Sequence, residues 1–170
     1  MRKIALIFML LFYLSGCSNV ALPSAEDVAK TYSQDFSAKV IGTFGENKTE
    51  IEVLKNGMSI SFLLDFPKEL SGMEVVLSDE HAKVIFEGME QEINTENLPE
   101  GTPFLLLEEL FEELSDPEEF VLSTENENLV AKSDDFTAVL SAEDYSLISA
   151  EFSQYATRFV FSDFAFGTGK

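Results

Sequence analysis

Residues 51–66 read Ile-Glu-Val-Leu-Lys-Asn-Gly-Met-Ser-Ile-Ser-Phe-Leu-Leu-Asp-Phe. On both sides of Asn56-Gly57 the apolar residues return at every second position: Ile51 and Val53 before the pair, then Met58, Ile60, Phe62, Leu64 and Phe66. A period of two gathers such residues on one face of a strand. An Asn-Gly pair between two such runs is the strongest short hairpin signal, because both residues tolerate positive φ. The stretch predicts two antiparallel strands that share one buried face.

The same period extends outward. Phe36, Ala38 and Val40 alternate with Ser37 and Lys39; further strands are expected over Met73 to Leu77 and Ala82 to Phe86, with Asp79-Glu80-His81 as their turn, and a short one ending near Ile93. At Thr102-Pro103, a hydroxyl followed by the residue best suited to the first helical position, the pattern changes. Phe104, Leu107, Leu110 or Phe111, and Leu114 then fall at helical spacing, so a helix is expected to about Ser115. Beyond Pro117 strands resume over Phe120 to Ser123, Leu129 to Lys132, Phe136 to Leu140, Leu147 to Phe152 and Tyr155 to about Phe164. Upstream of all of them, Ser24-Ala25-Glu26-Asp27 has the form of a capping box opening a helix to about Gln34. The expected fold is α+β: one domain over residues 24–170, a curved antiparallel sheet of about ten strands with two covering helices. Two helices cannot cover so many apolar strand faces, so the sheet either curls into a barrel or keeps a concave face suited to a greasy ligand.

The N-terminus has a different character. Met1-Arg2-Lys3 precedes an apolar run from Ile4 to Leu14, too short for a bilayer-spanning helix of roughly 20 residues but in the charged, apolar, small-residue order of an export signal. Leu14-Ser15-Gly16-Cys17 resembles the bacterial lipobox, which implies a signal peptide over residues 1–16 and a diacylglycerol on the Cys17 sulfur. Residues 17–23 would then be the lipidated cysteine and its tether, with Ser18 to Pro23 reaching at most roughly 20 Å. The domain is expected at the extracytoplasmic face of a bacterial membrane, held there by its lipid. Cys17 is the single cysteine, so no disulfide supports the fold, and sixteen phenylalanines without tryptophan supply the core. Thirty-one acidic residues against 11 basic ones give a net charge of −20, and loss of Arg2 and Lys3 with the signal deepens it. Such a surface repels phosphate backbones, which excludes nucleic acid as a partner.

The element order, Phe66-Pro67 followed by Leu70-x-Gly72-Met73, the amphipathic helix from Pro103 and the closing strand Arg158-Phe159-Val160-Phe161-Ser162-Asp163-Phe164 resemble the lipoprotein carrier and receptor superfamily, LolA and LolB-like. The layout is also similar to that of small lipoproteins of Firmicutes. The resemblance spans about residues 24–166. It implies an unclosed half-barrel with helices plugging its mouth and acyl chains held in the cavity. The chain departs from the carriers in being acidic where their sheets are basic, and in carrying a membrane anchor as the receptor type does. Candidates to line the cavity are Phe62, Leu64, Phe66, Met73, Val75, Val84, Phe86, Phe104, Leu107 and Phe111. A dry core would contain the same residues, since periodicity reports only which face is apolar. Two readings stay open: a non-enzymatic binder of a lipid or other hydrophobic ligand, and a structural or interaction module docking a protein of the cell envelope.

Catalytic chemistry finds little support. His81 is the single histidine and stands in a polar turn, with no Gly-x-Ser-x-Gly context for a nucleophile. Glu108, Glu109, Glu112, Glu113, Asp116, Glu118 and Glu119 are acidic enough to attract calcium but lack the spacing that wraps a cation, and the helical ones are expected on a solvated face. Without tryptophan no pair of carboxylates is marked for sugar chemistry, and Asn47-Lys48-Thr49 is read as a chance glycosylation sequon. No cofactor and no metal are expected. The lipobox reading is checked by metabolic labelling with a fatty acid: Cys17→Ser is expected to abolish both label and processing, and a labelled, normally cut variant would contradict it.

Overall fold

The computed structural model describes residues 23–78 and 81–167; Cys17, the expected signal and the tether before Pro23 lie outside them, as do two residues of the expected turn at 79–81. A first helix, α1 (Ala25–Tyr32), leads into β1 (Phe36–Phe44), β2 (Asn47–Asn56), β3 (Ser59–Phe66), β4 (Glu74–Ser78), β5 (His81–Phe86) and β6 (Met89–Asn94). The second helix, α2 (Pro103–Leu114), is followed by β7 (Val121–Glu125), β8 (Asn128–Lys132), β9 (Thr137–Ser141), β10 (Leu147–Phe152) and β11 (Thr157–Phe166). Short 3-10 turns stand at Lys68–Leu70, Thr95–Asn97 and Ser153–Tyr155.

All eleven strands form one antiparallel sheet in the order β6-β5-β4-β3-β2-β1-β11-β10-β9-β8-β7, with β6 and β7 as open edges. The two meanders meet at the centre, where β1 pairs with β11 from Phe36↔Phe166 to Phe44↔Thr157. Register shifts in the β1–β11, β2–β3 and β9–β10 pairs add unpaired residues that bend the strands, as bulges do. The period-two reading holds on the helix side. Phe36, Val40, Ile51, Val53, Phe62, Val75, Leu77, Leu140, Phe152 and Phe159 are all buried there, in one cluster with Leu106, Leu107, Leu110, Phe111 and Leu114 of α2.

Local signals act largely as expected. Ser24 accepts the Asp27 backbone N–H at 3.2 Å and donates its hydroxyl to the Asp27 carboxylate at 2.9 Å, so α1 is capped, although it ends at Tyr32 rather than Gln34. In the 56–59 hairpin Gly57 takes the positive φ of 61°, and its N–H donates to the Asp35 carboxylate at 2.8 Å. Met58 falls in that turn, 84% exposed, and so does not belong to the inward row of β3. His81 opens β5 opposite Ser78 rather than standing in a turn. Thr102 precedes α2 as expected, but its hydroxyl donates to the Pro99 carbonyl and caps no helical N–H.

The β1–β2 hairpin turns at Gly45, which has φ 60°. Between its strands, Gly42 leaves no room for a side chain: a Cβ would come 2.8 Å from Phe44, 2.9 Å from Thr49 and 3.1 Å from Phe159. The edge of the Phe44 ring, packed on Phe159 at 5.7 Å, occupies that space, so the smallest residue is needed for the aromatic pair to close over the backbone.

Candidate ligand-binding site

The segment between β6 and β7 has to travel from one edge of the sheet to the other, and α2 makes that passage across the concave face. Pro103 starts the helix, and a run of Leu and Glu, both good helix formers, sustains it. Leu106, Leu107, Leu110, Phe111 and Leu114 are buried, which is wider than the single stripe expected, because the sheet curves around the helix and α1 packs beside it. Burial of such side chains contributes about 1.5–3 kcal/mol each before ordering costs. Tyr32 of α1 links the layers. Its ring stacks on Phe111 at 6.5 Å and meets Phe36, Phe164 and Phe166 edge-on at 5.5–6.0 Å, while its hydroxyl donates to the Tyr145 carbonyl at 2.9 Å.

The ten expected lining residues divide into two groups. Phe62, Val75, Leu107 and Phe111 are at most 2% exposed and belong to one core cluster, and Leu64 is buried at 4% outside that cluster. Met73, Val84 and Phe104 are half-buried at the margin of that core, Phe86 is half-buried and Phe66 is 39% exposed. The margin is the β3–β6 side, where Phe104 at the start of α2 reaches Phe62 with ring centroids 5.5 Å apart. Beyond it, β6 carries Met89, 68% exposed and paired with Phe86. The helix therefore covers the middle of the concave face, and an apolar margin stays accessible at one wing.

Farther along the same side of α2, toward its C-terminus, a cavity of about 330 Å³ opens between the helix and the β2–β3 hairpin, lined by Ser33, Lys55, Gly57, Met58, Ile60, Glu108, Phe111, Glu112 and Ser115. Lys55 was not singled out in the sequence. Its ammonium donates to the Tyr32 carbonyl at 2.6 Å and lies 5.8 Å over the Phe36 ring. Burial pulls its pKa down, and the nearby Asp35 and Glu112 carboxylates partly restore it. A signal for it existed in the odd placement of a lysine before Asn56-Gly57, but its partner is a main-chain carbonyl from another element, which no sequence pattern encodes.

The glutamates of α2 were expected on a solvated face, and three are instead half-buried. Their side of the helix meets the 115–120 and 133–135 loops, because the curved sheet and its connections wrap most of the helix. Burial, with the Glu112 charge adding to it, pushes the Glu108 carboxyl up to about 7. Glu109 is raised by burial and then by Asp135, Glu113 and Glu112. Glu113 is raised by burial and by Asp135, Glu119 and Asp134, against a hydrogen bond with Ser133 that lowers it. One carboxylate oxygen each from Glu109, Glu113 and Asp135 lie within 4.8 Å of one another, the group among the described residues that could share a cation. His81 is exposed and remote from this group in the sheet, at the start of β5.

No protein-family model matches the chain, and no curated protein matches it in sequence. Several solved structures resemble it. An uncharacterised conserved protein of Thermus thermophilus shares 14% identity over 84% of each chain, with a TM-score of 0.53. MucB of Pseudomonas aeruginosa, solved with MucA, shares 14% identity over 86% of this chain and 58% of its own, with a TM-score of 0.50. A LolA superfamily protein of Nitrosomonas europaea shares 8% identity over 85% of this chain and 94% of its own, with a TM-score of 0.42. At such identities the Thermus and Pseudomonas structures show a common fold and nothing more; in this chain the described residues form an unclosed antiparallel sheet of 11 strands with two helices.

Proposed function

We propose that the chain is a non-enzymatic lipoprotein, anchored through Cys17 at the extracytoplasmic face of a membrane, that takes an acyl chain or similar apolar ligand between α2 and the concave sheet. One observation carries the reading: the half-buried Met73, Val84 and Phe104 pack against the core that holds Phe62, Leu107 and Phe111 under the helix, with Phe104 5.5 Å from Phe62. The side chains of α2 fill the place an acyl chain would take. Entry then requires the helix to shift, and the ligand replaces one apolar contact by another, so little hydrophobic energy is lost in the exchange.

The electrostatics of α2 favour such mobility at neutral and higher pH. A carboxyl raised in the folded state holds its proton there more tightly than in the unfolded chain. Its contribution to stability is present below the unfolded pKa near 4.5 and is lost as pH rises through the folded value, about 7 for Glu108. Glu109 and Glu113, also raised, act in the same direction. The protein is expected to melt at higher temperature at pH 5 than at pH 8. Glu108→Gln is expected to flatten this dependence and to stabilise the pH 8 state by on the order of 1–2 kcal/mol, discounted for partial solvent screening. Thermal melts of both proteins across that range check it.

Ligand binding is tested with the mature, delipidated protein and a fluorescent fatty acid. Saturable one-to-one binding is expected, displaced by unlabelled fatty acid and weakened by Phe86→Ser and Val84→Ser at the margin. A folded protein indifferent to acyl probes would remove the lipid reading and leave the envelope interaction module.

A further inference from the structure

The face of the sheet turned away from both helices is not uniformly polar. On its β1–β4 portion a groove of about 580 Å³ is lined by Ser37, Lys39, Glu52, Leu54, Ser61, Leu63, Glu74 and Asp163, with backbone from Ala38 and Val53. Leu54 and Leu63, 44% and 37% exposed, form its apolar floor. Strand register explains the arrangement. Leu63 lies directly between Glu52 of β2 and Glu74 of β4, and Glu52 in turn faces Lys39 of β1. Strands in a sheet stand about 4.8 Å apart, so four of them carry this row of Lys39, Glu52, Leu63 and Glu74 across roughly 14 Å.

The third carboxylate reaches the groove through the bulge between β1 and β11. Ser37 pairs with Ala165 and Lys39 with Ser162, which leaves an extra residue on β11, and Asp163 has a positive φ of 50°. A non-glycine residue in that region is costly, and bulges characteristically re-aim a side chain. Here the result is that the Asp163 carboxylate comes 3.4 Å from the Lys39 ammonium, which is also 3.9 Å from Glu52. The groove's one ammonium is thus already shared by two acids, and Glu74 adds a third negative charge.

We infer that this outer groove is a docking surface for a cationic, leucine-bearing segment of a partner protein, whose apolar side chains seat on Leu54 and Leu63 while its lysines or arginines meet Glu52, Glu74 and Asp163. Charge selects this occupant. A chain of net charge −20 repels a second copy of itself and an anionic lipid surface, and attracts a basic polypeptide. Two exposed leucines among three carboxylates supply an apolar centre with a charged rim, the general layout of a protein interface. The site is independent of the concave face, so lipid binding and protein docking occupy opposite sides of one sheet.

The test uses the mature protein and a short peptide of alternating lysine and leucine, followed by fluorescence anisotropy at low and physiological salt. Saturable binding is expected, with amide chemical-shift changes of the wild-type protein confined to Ser37, Lys39, Leu54, Ser61, Leu63 and their neighbours. Leu54→Ser combined with Leu63→Ser, both at exposed positions, is expected to weaken binding about tenfold or more. Glu125→Gln with Glu127→Gln, which removes two negative charges at the β7–β8 hairpin where the leucine pair removes none, is expected to leave it unchanged. Acyl-probe binding should persist in the leucine variant, which separates this surface from the concave site. No measurable peptide binding, equal weakening by both pairs of substitutions, or shifts centred on the acidic 133–135 region would overturn the proposal.

Discussion

The connection from β6 to β7 constrains the whole molecule. These strands are the opposite edges of an eleven-stranded sheet, so residues 95–120 must recross the concave face, and they do so as α2. A polar loop could not lie there, because the face is lined by Phe36, Phe62, Phe152 and Phe159, and buried loop backbone would leave its polar groups unpaired. A helix satisfies its own backbone and presents leucines to the sheet. The open half-barrel and its covering helix follow from one another: without the crossing the sheet would expose its apolar side, and without the curvature a 12-residue helix would cover too little of it.

That arrangement sets the balance between a dry core and a binding site. The centre of the concave face is packed tightly enough that a side chain on Gly42 has no room, whereas the β3–β6 wing and the cavity beside Lys55 are less filled. The same helix carries carboxyls that burial raises, and these oppose its seating once they ionise. Apolar burial along one side of α2 and the cost of ionising half-buried carboxyls along the other oppose each other within one helix, and the proposed displacement of α2 rests on that opposition. Hydrogen bonding between β1 and β11 holds the two meanders together independently of the helix.

Much of this architecture was legible in residues 51–66 and in the helical spacing from Phe104 to Leu114, because strand and helix periods depend only on which face meets the core. The hairpin at Gly57 was legible for the same local reason, although Met58 belonged to its turn rather than to its strand. Three things were not. The closeness required at Gly42 arises from ring packing by Phe44 and Phe159, and the role of Lys55 depends on a main-chain carbonyl of α1; both need long-range placement. The half-buried glutamates contradict a pattern reading, which assigns the polar side of an amphipathic helix to water and cannot see loops returning over it. Of the ten lining candidates, Phe62, Val75, Leu107 and Phe111 lie in the core and Met73, Val84 and Phe104 pack against it, whereas Phe66, past the register shift between β2 and β3, stands opposite Glu50 and is exposed; a strict period of two does not foresee that bulge.

The most direct measurement of the central claim is native-state hydrogen exchange with residue resolution, with and without a saturating fatty acid. If α2 is a displaceable cover, its amides over residues 106–114 exchange through an opening of lower free energy than those of β1, β2 and β11, and the ligand changes their protection while leaving the central strands as they were. If those amides exchange only with global unfolding, in step with the central strands and untouched by fatty acid, the helix is a fixed part of a dry core and the account fails.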